Sequence, residues 1–194
     1  MNTRKNAVSK KEIILQEAAR LFKDRGFGGT SMRDLAERVG IEAASMYNHI
    51  RSKDEILEEI CFRIAREYVA HISEIEHADM SYREKVQALI GLHVKMITED
   101  PHAVSVTNND WKSLNAAAMA SFKEIRKDYE KRFAALIQKG IEQGEFRAVH
   151  VSVALFTILS SLRWIELWYK PEREITKEEL QKDITAILMN GINA

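Results

Sequence analysis

Three hydrogen-bonding side chains stand in a row at Tyr47, Asn48 and His49, and Lys53 follows shortly after them. Three such neighbours cannot all point into an apolar core, so we expect part of this stretch to face a polar partner. An amide side chain can bond the edge of an adenine, and hydroxyl, imidazole and ammonium groups suit phosphate oxygens. The row therefore predicts a contact with nucleic acid, with packing at the domain seam as the alternative for Tyr47 and His49.

The residues before this row are small, and a cation lies upstream. Ala43 and Ala44 permit the close approach that a helix in a DNA major groove needs at its N-terminus. Arg33 is long enough to reach a guanine or a phosphate. Lys53 stands at the start of a long helix, whose positive dipole end favours a phosphate. The predicted DNA-binding residues are Thr30, Ser31, Arg33, Ala43, Ala44, Ser45, Tyr47, Asn48, His49 and Lys53.

These residues need a scaffold, and residues 30–50 are expected to form a helix-turn-helix. Ser31 with Asp34 three residues later predicts a capping box that opens the first helix. Gly40 supplies the turn, because a positive φ is cheap only for glycine. The second helix is expected from about Ala43 to Ile50. Apolar residues of the pair should pack on the preceding helix; they are Leu35, Val39, Ile41, Met46 and Ile50 against Ile14, Ala18 and Phe22.

Helical periodicity continues along almost the whole chain, and no segment alternates convincingly as a strand would. The pattern predicts an all-α protein, with short, tightly turned helices at the N-terminus, which we call the head, and long helices after them, which we call the body. We expect the head over residues 1–53 and the body over residues 54–194, with the seam inside continuous helix. Body helices are expected at 53–77, 81–100, 112–143, 149–169 and 176–190.

Charge is distributed unevenly, although the 194-residue chain has no net charge. Residues 1–53 hold 11 Lys and Arg against 6 Asp and Glu, and the remainder carries the opposite excess of five. A basic end on an acidic body is expected where that end meets a polyanion. Arg4, Lys5, Lys10 and Lys11 are candidates for a basic arm, with a disordered tail as the alternative.

The expected location is cytoplasmic. The first eleven residues are polar and basic, without the apolar region of a secretory signal. The most apolar stretch, residues 151–162, is too short for the ~20 residues of a membrane span, so we expect no membrane partner. The single cysteine, Cys61, excludes an internal disulfide and a cysteine-based zinc cage.

Residues 9–57 resemble the DNA-binding region of TetR-type transcriptional repressors. The resemblance lies in "AARLFKDRGFGGTSMRDLAERVGI" followed by "SMYNHIRSKDEIL". It implies an all-α homodimer with an N-terminal three-helix DNA-binding head and a C-terminal helical body for ligand binding and dimerisation. Such a protein binds operator DNA and responds to a small-molecule effector. This chain departs from the family at Glu42, Ala43 and Ala44, where Ser or Thr and Lys or Gly are common. Base reading must then rest more on Arg33, Asn48 and Tyr47.

The C-terminal part is similar to a subgroup of this family that controls catabolism of fatty, aromatic or steroid acids. The similar segments are "LRWIELWYKPEREITKEEL", "ILMNGI", "NDWKSL" and "IEQGEF". The resemblance implies an acyl-CoA thioester as effector, bound in an apolar cavity between helices. Candidate lining residues, with core packing as the alternative for each, are Met96, Trp111, Met119, Phe122, Tyr129, Phe156, Trp164 and Trp168. Candidate cations for its phosphates, with a solvated surface role as the alternative, are Arg66, Arg126, Arg132 and Arg163.

The last two helices present wide apolar faces, and two helices from each of two chains would form a four-helix interface. Trp164 and Trp168 lie one turn apart and belong either to this interface or to the pocket. The expected interface residues are Val153, Phe156, Leu159, Leu162, Ile184, Ile187 and Leu188.

The sequence gives less support to other classes of function. The glycine-rich "GFGGTS" lacks the Gly-Lys-Ser/Thr of a phosphate loop, and Cys61 has no evident base, so we expect no enzyme, no catalytic residue and no cofactor. A metal-responsive regulator would use His71, His77, His93 and His102, which form no i, i+4 pair. A protein-binding helical adaptor is the alternative from another class.

Overall fold

The computed structural model describes residues 9–170 and 175–192. The described part contains nine α-helices and no β-strand, which confirms the all-α prediction. Arg4 and Lys5 of the predicted arm lie outside the described residues. The helices are α1 Lys10–Arg25, α2 Met32–Val39, α3 Ala43–Met46, α4 Lys53–His77, α5 Tyr82–Glu99, α6 Pro101–Asn109, α7 Ala116–Glu142, α8 Val151–Trp168 and α9 Lys177–Asn190, with a 3-10 turn at Trp111–Ser113.

The chain divides into two compact units. Unit 1 comprises residues 1–64 and 102–120, and unit 2 comprises residues 65–101 and 121–194. The predicted boundary after residue 53 is a division by function, whereas these units are defined by packing. The functional boundary therefore stays a prediction. Because α4 runs without a break from Lys53 to His77, it contributes residues to both units.

Unit 1 contains the helix-turn-helix and its core. The predicted capping box is present, since the Ser31 hydroxyl accepts from the backbone of Asp34 and the Asp34 carboxylate accepts from the backbone of Ser31. Gly40 ends α2 in the left-handed region, with φ 71° and ψ 40°. The predicted core forms: Ile14, Ala18, Phe22, Leu35, Met46 and Ile50 are buried, and Val39 and Ile41 are half-buried.

Replacing Gly40 by alanine is expected to destabilise the head by about 1 kcal/mol, because a Cβ is unfavourable at positive φ. A Cβ there would meet no atom within 4 Å, so the cost is conformational and not steric. The measurement is the free energy of unfolding in urea. Gly28→Ala is the matched control, since Gly28 has equally open space and no positive φ. Equal effects of the two substitutions would contradict this reading of the turn.

Two predicted helix boundaries were wrong, and one helix was missed. The second helix of the helix-turn-helix ends at Met46, because the amides of Asn48 and His49 bond three residues back, which tightens the chain into turns. A helix at Pro101–Asn109 was missed, although proline suits the first position of a helix. The expected helix over 112–143 begins only at Ala116.

Unit 2 is built around α5, which packs on both α8 and α9. The opposite side of α8 is apolar but exposed, with Trp164 63% exposed and Phe156 50% exposed. By length and composition alone the whole of α8 could cross a membrane, with 18 residues and a mean hydropathy of 1.4, because the helix extends beyond the apolar stretch 151–162. A single such helix is weak evidence for a span, and the core helices of soluble proteins reach the same values.

Candidate nucleic-acid interface and ligand-binding body

The helix-turn-helix presents a surface that we call the reading face. Its residues are Ser31, Arg33, Ala43, Ala44, Ser45, Tyr47, Asn48 and His49. All of these side chains are exposed except Ser45, which is half-buried. Tyr47 is 55% exposed even though it is a large aromatic residue. Met46, which lies between Ser45 and Tyr47 in the chain, is fully buried in the core. Its packing holds the short helix in place while the side chain of Tyr47 is exposed.

The longer side chains of the reading face have no partner within the described part of the chain. Arg33, Tyr47, Asn48 and His49 make no side-chain hydrogen bond and no ion pair among the residues that the structure describes. Their donors and acceptors are therefore available to a partner. A guanidinium, an amide, a phenol and an imidazole together offer the chemistry for both phosphates and base edges.

Two residues predicted to bind DNA are used by the fold instead. Thr30 is 2% exposed, and its hydroxyl donates to the Gly26 carbonyl at 3.1 Å. We therefore correct the prediction for the Thr30 side chain. The Ser31 hydroxyl takes part in the capping box, where its hydrogen bonds lower the pKa of Asp34. Ser31 remains exposed and keeps acceptor capacity.

Lys53 holds the loop between α1 and α2. Its Nζ donates to the carbonyls of Phe27 at 2.7 Å and Thr30 at 2.8 Å, and it lies 4.3 Å from the centre of the Phe27 ring. An ammonium has three donors, so one remains for a phosphate. Asp110, from the other segment of unit 1, approaches the same loop: burial raises its pKa, and the backbone N–H of Phe27 partly opposes this.

Several cations elsewhere in the head are paired. Arg38 donates to Glu17 at 2.8 Å, and Arg20 lies 3.0 Å from the same carboxylate. Lys11, a candidate for the basic arm, bonds Glu59 on α4. The free cation of the reading face is thus Arg33, since within the described residues it has no carboxylate partner.

The predicted pocket residues are divided between the two units. Met96, Phe122 and Tyr129 are buried in unit 2, whereas Trp111 and Met119 are half-buried in unit 1. Phe156 and Trp164 are exposed, so we correct their placement in an interior pocket. Trp168 is also exposed, at 39%.

The predicted dimer residues are mostly accessible. Val153 is 62% and Ile187 is 72% exposed, and Leu159, Ile184 and Leu188 are half-buried. Leu162 is fully buried inside its own protomer, so its assignment to the interface was wrong. Helical geometry explains this error, because Leu162 lies on the side of α8 that faces the core together with Ile158 and Ile165.

Unit 2 contains a cluster of polar side chains that the sequence did not predict to lie together. His93 Nε2 lies 2.9 Å from the Tyr129 hydroxyl, and the His93 ring stacks on Tyr68 at 4.3 Å. Burial is the main cause that lowers the pKa of His93 to about 3. Sequence reasoning considered His93 only as a metal ligand and Tyr129 only as an apolar wall, because their pairing across α5 and α7 leaves no local signal.

His93 should make the protein less stable in mild acid. Its pKa is about 3 when folded and about 6.5 when unfolded, so stability is full above pH 6.5. Between these values the unfolded state binds the extra proton, and the free energy of unfolding falls by about 1.4 kcal/mol per pH unit from this residue. Urea unfolding from pH 7 to pH 5 measures the slope. His93→Gln should reduce it, and Tyr129→Phe, which leaves the buried imidazole, should not.

Arg132, a candidate cation for effector phosphates, is already paired. Its Nη2 lies 2.6 Å from Glu76, whose pKa it lowers, and it also bonds Ser73 at 2.8 Å. Arg126 lies 3.7 Å from Glu130. Arg66 and Arg163 are exposed. A cavity of about 370 Å³ adjoins the Arg132 pair and is lined by Glu76, His77, Tyr82, Lys85, Arg132, Ala135, Leu136 and Lys139.

The metal and adaptor alternatives gain no support. Within residues 9–170 and 175–192, no group of three or more His, Cys, Asp or Glu side chains is placed to hold a metal ion. Cys61 is buried, and burial raises its pKa to about 12, which leaves it protonated and unreactive.

Known proteins resemble this chain along its whole length. Residues 14–60 match the family model of bacterial regulatory proteins of the tetR family, and residues 79–192 match the tetracyclin repressor-like C-terminal domain. The transcriptional repressor KstR2 of Mycolicibacterium smegmatis is 27% identical over 193 residues, which cover 98% of this chain and 94% of that protein.

Solved structures share the fold. The ketosteroid transcriptional regulator KstR2 of Mycobacterium tuberculosis superposes with a TM-score of 0.91 at 24% identity, covering 97% of both chains. AibR, solved with isovaleryl coenzyme A and operator DNA, superposes with a TM-score of 0.81 at 24% identity, covering 92% of this chain and 97% of that chain. The exposed reading face, the buried head core and these matches lead to one conclusion: the chain belongs to the TetR family of DNA-binding transcriptional regulators.

Proposed function

We propose that this protein is a cytoplasmic, non-enzymatic repressor that binds operator DNA as a homodimer and is controlled by an acyl-CoA thioester. The observation that carries the DNA-binding part is the reading face, where four long polar side chains are exposed without an intramolecular partner. The thioester class is supported by the similarity to AibR. AibR is solved with isovaleryl coenzyme A and operator DNA.

In this proposal some residues of the reading face contact base edges and others contact phosphates. Arg33 and Asn48 read base edges, since guanidinium and amide groups can bond a guanine or an adenine with two hydrogen bonds. Tyr47, His49 and Ser45 contact phosphates, and the alanines allow the helix to approach the groove. Lys53 contributes its remaining donor to a phosphate and keeps the loop before α2 in place.

Control by the effector is proposed to act through α4. This helix begins at Lys53, which bonds the loop before α2, and it ends in unit 2 at His77. A small shift of α4 would change the separation of the two recognition helices of a dimer. They must fit successive major grooves about 34 Å apart, so a changed separation weakens binding.

A gel-shift titration tests the effector class. The protein selects its own duplex from random-sequence DNA, and short-chain, long-chain and aromatic acyl-CoA thioesters are then added, with free coenzyme A as control. We expect at least one thioester to change DNA affinity by about 5- to 150-fold, the usual range of allosteric coupling. Unchanged affinity across all three classes would reject the thioester proposal and leave the DNA-binding function intact.

A further inference from the structure

Glu42 is a long acidic side chain at the edge of the reading face. It directly precedes Ala43 in the chain, and its carbonyl accepts from the amide of Ser45 at 2.9 Å, which places it in the first turn of α3. The two residues that follow it, Ala43 and Ala44, carry no side-chain atom beyond Cβ. Glu42 is therefore the longest side chain at the start of α3.

The carboxylate of Glu42 is not used by the fold. Its side chain is exposed and makes no capping hydrogen bond to α3. Other carboxylates of the head have cation partners. The Glu17 carboxylate lies 2.8 Å from Arg38, and the Asp34 carboxylate lies 3.8 Å from Arg25. Within the described residues Glu42 has no such partner.

A free carboxylate beside a DNA-binding surface is unfavourable unless it forms a specific contact. Duplex DNA carries one negative charge per ~1.7 Å of helix axis, so its phosphates repel the carboxylate. Proteins use such repulsion to discriminate between partners, because a wrong partner leaves the charge unpaired. The position of Glu42 therefore indicates a role in specificity instead of affinity.

The donors and acceptors of the base edges decide which base a carboxylate can bind. The first residues of a recognition helix contact these edges in the major groove, and an ionised carboxylate only accepts hydrogen bonds. Guanine presents two acceptors there, thymine presents an acceptor and a methyl group, and adenine places its N7 acceptor beside its N6 donor. Cytosine alone presents a donor, its N4 amino group, without an acceptor. A carboxylate therefore fits cytosine best.

We infer that Glu42 is a specificity residue, which accepts a hydrogen bond from N4 of one cytosine in each half-site of the operator and disfavours other bases there. The inference rests on the proposed DNA-binding role of the reading face and names one base that it recognises. Ala43 and Ala44 bring the backbone close enough to the groove for the Glu42 carboxylate to reach the base.

Selection from random-sequence duplexes tests the base preference with the full-length protein. The unmodified protein should recover one cytosine in both half-sites that Glu42→Ala no longer prefers, with discrimination at that position reduced about tenfold and the other positions unchanged. Glu42→Ala should also bind random DNA more tightly, most clearly at low salt, because a repulsion has been removed.

Glu12→Ala is the control for charge, since it removes an exposed carboxylate from α1, outside the helix-turn-helix. It should select the same bases as the unmodified protein. A Glu42→Ala protein that selects the same bases at every position, or a Glu12→Ala protein that loses the same cytosine, would overturn the inference.

A single methyl group on the DNA tests the hydrogen bond itself. N4-methylcytosine still pairs with guanine, but its methyl group replaces the N4 hydrogen that points into the major groove. At the selected cytosine it should weaken binding of the unmodified protein about tenfold and leave the affinity of Glu42→Ala unchanged. Equal losses for both proteins would reject the contact.

The same experiments separate the two levels of the account. A protein that selects no duplex from the random pool would reject the proposed DNA-binding role, and the assignment of Glu42 would fail with it. A protein that selects a duplex to which the unmodified chain and Glu42→Ala respond alike would reject the assignment of Glu42 alone.

Discussion

Phe156→Glu is expected to convert the dimer into monomers and to weaken operator binding by about 10²- to 10⁴-fold, the gain that joining two binding modules supplies. Phe156 is 50% exposed on α8. The glutamate would place a charge in the middle of an apolar surface that two copies bury. Sedimentation equilibrium measures the oligomeric state, and fluorescence anisotropy with the selected duplex measures affinity.

The reason for this large effect is the size of the uncovered surface. Val153, Trp164, Leu167 and Ile187 are each more than 60% exposed, and Trp168 adds a further aromatic ring. A soluble monomer rarely leaves so large an apolar patch in water. Two copies of α8 and α9 packed as four helices would cover it, and we propose that Trp164 and Trp168 belong to this interface.

The control adds the same charge elsewhere. Ser121→Glu changes an exposed position on α7 and should leave both the dimer and the operator affinity unchanged. A Phe156→Glu protein that remains dimeric would contradict this interface. A monomer that binds operator as tightly as the dimer would contradict the cooperation of two heads.

Arg33→Ala is expected to weaken binding to the selected duplex by about 1–3 kcal/mol, the contribution of a residue that reads a base. Arg33 is exposed at the start of α2 and is the unpaired cation of the reading face. Asn48→Ala should cost a similar amount if the amide bonds an adenine. Anisotropy titrations on selected and random duplexes measure both losses.

Two comparisons separate base reading from charge. Arg33→Lys keeps the positive charge but loses the planar fork of the guanidinium, so it should lose specificity and retain affinity for random DNA. Lys127→Ala removes an exposed cation from α7 and should change neither value. Equal losses on selected and random DNA would reassign Arg33 to phosphate contacts.

The head was predictable from sequence because its signals are local. The capping box at Ser31 and Asp34 and the left-handed Gly40 lie a few residues apart, and the structure has both. The end of α3 at Met46 was missed because Tyr47 keeps a helical backbone conformation, while the amides of Asn48 and His49 bond three residues back. The DNA roles of the exposed residues stay predictions.

The body was less predictable, since its features depend on contacts between distant segments. Leu162 and Phe156 are both apolar residues of α8, and only packing on α5 decides which one is buried. The pairing of His93 with Tyr129 joins residues 36 positions apart. Sequence periodicity identifies which residues share a helix face, but it carries no information on which partner that face meets.

Amide hydrogen exchange tests the account most directly, because one measurement follows the reading face and the effector together. The dimer is compared alone, with its selected duplex, and with duplex and an active thioester. We predict that DNA slows exchange in peptides covering residues 31–53 and that the thioester restores the rate of the free protein. DNA binding that leaves exchange across residues 31–53 unchanged would contradict the central claim.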